Sequence, residues 1–185
     1  MNPAYQLFQT HAQDDLQLYT LLRFASKCDH VTALTMNSWE STSTFLTAQA
    51  KTIRIYNLSA VDPDVTNKLV AASKEIDVDF SIGPNLGEIE DTDLLYINTP
   101  SEGNYRAMEL GKYAPNVRKY IVLPNTVVHA HRASDNIKLA EGVKPIGMIF
   151  GINHFLQTND NWFILEHDEV APGITVLVNK DNVVC

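Results

Sequence analysis

Three segments rich in β-branched and aromatic residues each close on an asparagine: Ile-Arg-Ile-Tyr-Asn57, Leu-Leu-Tyr-Ile-Asn98 and Tyr-Ile-Val-Leu-Pro-Asn125. Read as strands of an α/β sheet, they bring Asn57, Asn98 and Asn125 to its carboxyl edge, outside which ligands bind in such sheets. An α/β enzyme usually places an acid at these positions. Asparagine keeps the shape of aspartate but carries no charge and cannot serve as a general base. The chemistry open to this rim is therefore neutral hydrogen bonding. Tight binding of a hard cation, which requires carboxylate oxygens, is not expected.

Other reactive residue types are scattered. His129-Ala130-His131 has the two-residue spacing that puts two rings on one side of a strand, as a metal pair would need. Asp135 is the one acid beside it, so a solvated loop pair is the expectation. His154 and His167 read as structural or surface residues, Asp91 and Asp93 as solvent-facing, and Asp168-Glu169 as a charged loop. Cys28 and Cys185 make no disulfide framework and have no evident catalytic partner; Cys185 is expected to be exposed. No Gly-x-Ser-x-Gly elbow, phosphate-binding Gly-x-x-x-x-Gly-Lys loop or His-Glu-x-x-His helix is present.

The elements that must position these residues follow from periodicity. Leu18, Leu21, Leu22 and Ala25 form an apolar stripe on a helix from about Asp14 to Ser26. Strands follow at 31–35 and 52–57. Between them, Ser41-Thr42-Ser43-Thr44 is expected to cap and begin a helix. Asp62-Pro63-Asp64 opens another, with its proline at the first turn. A strand at 78–82 stops at Gly83-Pro84. The apolar run 94–98 is a strand buried on both faces, 105–114 is a helix ended by Pro115, and 120–123 is a further buried strand. Residues 129–142 read as loop with some helix, and 146–156 as a helix. Residues 162–167 and 174–178 pair as an antiparallel hairpin that gives a mostly parallel sheet a reversed edge strand.

Composition bounds the rest. The chain has 185 residues, 45% hydrophobic and 19% charged, as expected for one domain with a substantial core. We divide 1–185 into an N-terminal helical segment (1–28), a parallel αβ core (29–126) and a variable loop, helix and terminal hairpin (127–185). A net charge of −8 without a Lys/Arg cluster argues against nucleic acid as a partner. The first residues lack the layout of a signal peptide, and no apolar run reaches the ~20 residues of a membrane span, so a soluble, cytoplasmic protein is expected.

This layout resembles the class I S-adenosylmethionine-dependent methyltransferases, in particular the macrocin O-methyltransferase and cephalosporin hydroxylase-like branch. The resemblance runs from about Tyr19 to Lys180. It is carried by Ser41-Thr42, the run Asp93 to Thr99 with Tyr105 behind it, Tyr120 to Thr126, Phe155-Leu156 before Trp162, and Pro172 to Leu177. It implies a three-layer Rossmann-like fold and a cofactor site at Thr35, Asn37, Trp39, Ser41 and Asn57. Asn98 and Asn125 fall where the family's catalytic or metal-holding acids stand. Against the family pattern, Ala33 replaces the first strand's acid, no glycine lies between it and Ser41, and Asn57 replaces the acid that holds the ribose. The resemblance thus implies a methyltransferase-like protein with a degenerate or remodelled S-adenosylmethionine site and no metal. Its acceptor would be a hydroxyl of a small molecule or sugar. The alternative is a pseudoenzyme, a structural or binding module that assembles with itself or a protein partner through the exposed edge strand.

Overall fold

Apolar runs long enough to be buried on both faces form the middle of a seven-stranded sheet in the computed structural model, which describes residues 5–6, 8–9, 15–36, 39–59, 62–84, 87–131 and 146–182. The strands are β1 (His30–Thr35), β2 (Thr52–Asn57), β3 (Asp79–Pro84), β4 (Thr92–Asn98), β5 (Val117–Pro124), β6 (Trp162–Asp168) and β7 (Ile174–Asn179). Their spatial order is β3-β2-β1-β4-β5-β7-β6. The first five are parallel; β7 runs antiparallel to β5, and β6 antiparallel to β7. The reversed strand is thus the inner member of the hairpin, not the edge the sequence suggested. Burial explains the choice. Every residue of β7 is buried, whereas β6 exposes Ile164, Leu165 and His167 and loses less by taking the edge.

Among the described residues, the sheet is covered by α1 (Leu16–Ala25), α2 (Trp39–Ala48), α3 (Pro63–Glu75), α4 (Gly103–Tyr113) and α5 (Met148–Thr158). Asp15, Asp62 and Glu102 cap the starts of α1, α3 and α4 with side-chain carboxylates. On one face Leu21, Phe24, Phe45, Leu46 and Leu69 pack against Ile53, Ile55 and Leu94. On the other, Leu110, Ile152 and Phe155 pack against Leu95, Ile97, Ile121 and Leu177. The fold is therefore a three-layer α/β/α sandwich. Among the described residues no helix is long and apolar enough to cross a membrane.

Two local expectations are corrected. Helix α2 begins at Trp39, so Ser41 to Thr44 lie inside it, buried, and do not cap it. The Ser43 and Thr44 hydroxyls donate to the Glu40 carbonyl at 2.8 and 2.9 Å, which satisfies them without a cap. Asp93 is not solvent-facing. It is buried, and its Oδ2 accepts the N–H groups of Asp29 and His30 at 2.9 and 3.2 Å. With Arg118 and Lys119 each 3.6 Å away, it ties β1, β4 and β5 at the amino end of the sheet, opposite the candidate site. Asp91 is exposed, as expected.

Candidate functional site

Parallel register brings Thr35, Asn57 and Asn98 side by side at the carboxyl edge: Thr35 pairs with Asn57 on one flank and with Asn98 on the other. Thr35 is fully buried, Asn57 buried and Asn98 half-buried. The chain leaving β1 is stitched across both neighbours. The Met36 N–H donates to the Asn98 carbonyl (3.1 Å), the Leu58 N–H to the Thr35 carbonyl (2.9 Å), and the Ser59 hydroxyl to the Met36 carbonyl. Trp39 is half-buried and packs on the core of the α1–α3 face, and Ser41 is buried one turn into α2. Asn37 lies outside the described residues, as do Asp135, Cys185 and most of the 129–142 segment.

The three asparagines are not equivalent. Asn125, just past β5, has φ +60°, in the left-handed region that asparagine tolerates better than most residues. Its backbone alone accounts for its identity. Asn57 and Asn98 end regular strands with no such constraint, so their amides are the ones that call for a chemical explanation.

Neither a carboxylate nor a glycine ends β1, β2 or β4. Neutral groups end β1, β2 and β4, and Thr35 and Met36 carry side chains where glycine would let a ligand approach the backbone closely. What remains is a rim of neutral donors and acceptors. Metal-ligand clusters are equally absent: no group of three His, Cys, Asp or Glu side chains is placed to hold an ion among the described residues. His131 is exposed, while His129 is half-buried in the turn that follows β5.

Directly behind Asn98 lies a buried ionic network that sequence reasoning missed. Arg106, 1% exposed, sits 2.9 Å from Glu109 Oε2; Thr99 Oγ1 donates to the same oxygen at 2.8 Å. The Arg106 guanidinium also donates to Thr99 Oγ1 at 3.2 Å. Its Nε has no partner among the described residues. Burial pushes the Glu109 carboxyl up and the Arg106 guanidinium down, each partly opposed by the other's charge. Glu102, also buried, caps α4 through Tyr105 N–H (2.8 Å) and accepts from Ile146 N–H (3.3 Å). An Arg-Glu pair three residues apart reads in sequence as a solvated helix face. Only the helix packing reveals that it is internal.

The other candidates are structural or silent. Cys28 is buried, its thiol pushed up to about 12 mainly by burial, which leaves it inert as a nucleophile. His167 Nδ1 lies 2.8 Å from Thr175 Oγ1 across the hairpin, and His154 is exposed on α5.

No protein-family model matches this chain, and no curated protein matches it. Solved structures do. An O-methyltransferase, TomG, from Streptomyces achromogenes, involved in tomaymycin synthesis and in complex with S-adenosylmethionine, superposes with a TM-score of 0.61 at 11% identity over 97% of this chain and 90% of its own. An O-methyltransferase from Bacillus cereus in complex with S-adenosylhomocysteine gives 0.58 at 12% identity, covering 97% and 91%. The S-adenosylhomocysteine-bound methyltransferase PaMTH1 of Podospora anserina gives 0.55 at 17%, covering 98% and 89%. At these identities the likeness defines the fold: this chain has the class I methyltransferase fold, with its seven strands in mixed parallel and antiparallel order.

Proposed function

We propose that this protein is a methyltransferase-like protein whose S-adenosylmethionine site is remodelled into a neutral, amide-lined cleft, and that its ligand is a hydroxylated small molecule or sugar. The observation that carries this reading is the pairing of Asn57 and Asn98 on either side of Thr35, where the family resemblance implies acids. A hydrogen bond to a charged acceptor contributes roughly 1.5–3 kcal/mol, against roughly 0.5–1.5 for a neutral one. An amide at position 57 therefore weakens a ribose contact by about tenfold. Calorimetry with S-adenosylhomocysteine tests this. The unaltered chain should bind at best weakly, and Asn57→Asp should gain about tenfold. Micromolar binding by the unaltered chain, with no gain from Asn57→Asp, would overturn the reading. So would a pocket indifferent to both Asn57→Asp and Trp39→Gly combined.

A further inference from the structure

Helices α4 and α5 meet backbone to backbone: a Cβ at Gly151 would stand 2.1 Å from the Gly103 carbonyl oxygen. Small residues, Gly103, Ala107 and Gly151, floor the seam, so the outer side of the pair is a groove of about 550 Å³. Asn104 of α4 walls it on one side, and Phe150, Asn153 and Gln157 of α5 on the other. Phe150 is 58% exposed. Met108, one turn past Asn104 on the same side of α4, is 57% exposed, and its neighbour Tyr105 47%. Exposed apolar side chains scattered singly need no explanation, but three of them gathered about one groove mark a contact surface.

Charge decides what can cover this surface. The chain carries −8 overall, yet the 11 residues of α4 and the 11 of α5 include three charged side chains, all on α4. Arg106 and Glu109 are buried against each other. The Lys112 ammonium lies 5.1 Å from the Tyr113 ring centroid and beside Gly87, away from the groove. The groove itself has no charged wall. A basic partner would be drawn instead to the acidic surface elsewhere. A second copy, itself acidic, meets least repulsion where neither surface is charged, and this face satisfies that condition. Its polar groups also suit self-pairing. Asn104, Asn153 and Gln157 each carry donors and an acceptor, so an amide can meet its own kind across a two-fold axis, which two carboxylates or two ammonium groups cannot.

We propose that two copies of this chain associate across a two-fold axis through α4 and α5, each seating its Phe150 ring in the small-residue groove of the other, with Met108 and Tyr105 beside it. Helices of 11 residues are about 16 Å long, and two side by side span about 20 Å. The contact is therefore at the small end of specific interfaces, and the dimer should dissociate in the micromolar range. It requires no pairing at the β6 edge and is independent of what the cleft at the carboxyl edge binds.

Sedimentation equilibrium of the full chain from about 1 to about 200 µM tests this. A reversible monomer–dimer equilibrium is expected. Phe150→Asp and Met108→Lys should each raise its Kd at least about tenfold, because each removes an apolar contact and sets like charges against each other across the axis. Both positions are exposed, so circular-dichroism melts of the two variants at low concentration should match that of the unaltered chain. Ile164→Lys, at an exposed position of β6, should leave Kd unchanged. Added salt should not weaken the dimer, since no ion pair crosses the contact. A chain that stays monomeric at about 200 µM would overturn the inference. A dimer weakened by Ile164→Lys but not by Phe150→Asp would do the same by placing the contact at the β6 edge. So would a dimer that salt dissolves, because ion pairs would then hold it.

Discussion

At the scale of single residues, the network behind Asn98 is the most exacting feature. Burying Arg106 and Glu109 together is tolerable because each neutralises the other, and Thr99 adds a hydrogen bond to the shared oxygen. Removing one partner strands the other. Glu109→Gln should cost about 3–5 kcal/mol, read as a large fall in melting temperature, whereas Arg106→Met with Glu109→Leu should be close to neutral. A small loss from the single change would mean that water reaches the pair. The asparagines were fully legible in the sequence because strand ends are marked by the closing of apolar runs. The network was not, because charge spacing within a helix carries no information about which neighbour covers it.

At the scale of elements, the contact between α4 and α5 is set by absent side chains. A Cβ at Gly151 would stand 2.1 Å from the Gly103 carbonyl and 3.0 Å from the Ala107 nitrogen, both backbone atoms that cannot swing away. Gly151→Ala should therefore push the helices apart and cost about 1–3 kcal/mol. Gly111, on the same helix as Gly103, meets nothing within 4 Å. Gly111→Ala should stabilise by about 0.5–1 kcal/mol through its lower backbone entropy in the unfolded chain. Opposite shifts in thermal melts of these two variants would confirm that packing, not helix propensity, decides the first. Periodicity predicted a helix over 146–156 in spite of Gly147 and Gly151, and the apolar stripe of Met148, Ile152 and Phe155 explains why it forms. Gly151 then serves the partner helix, while Gly147, at the N-cap, lies against Ala130 and His131. For α2 the pattern misled, since a Ser-Thr run favours caps but is equally stable inside a helix when its hydroxyls bond back to carbonyls one turn earlier.

At the scale of the whole molecule, the C-terminal hairpin completes the sheet. Strand β7 is buried at every position from Ile174 to Asn179, between β5 and β6, and its register sets Leu177 opposite Ile121 and Val176 opposite Val122. Ending the chain after Asn159 would turn β5 into an edge carrying Ile121, Val122 and Leu123, three residues that are fully buried in the intact fold. An unpaired apolar edge of this kind templates pairing with other copies. The shortened chain should therefore lose its cooperative melt in circular dichroism and elute as aggregate in size exclusion, while the full chain gives a single transition. The same geometry explains how β6 can be an edge without that hazard. Its pairing with β7 breaks register between Ile164 and Glu166, a bulge that disrupts further strand addition, and Glu166 is engaged by Arg23 of α1. If the truncated chain nevertheless melts cooperatively as a monomer, the sheet closes at β5, and the hairpin is an accessory to the fold.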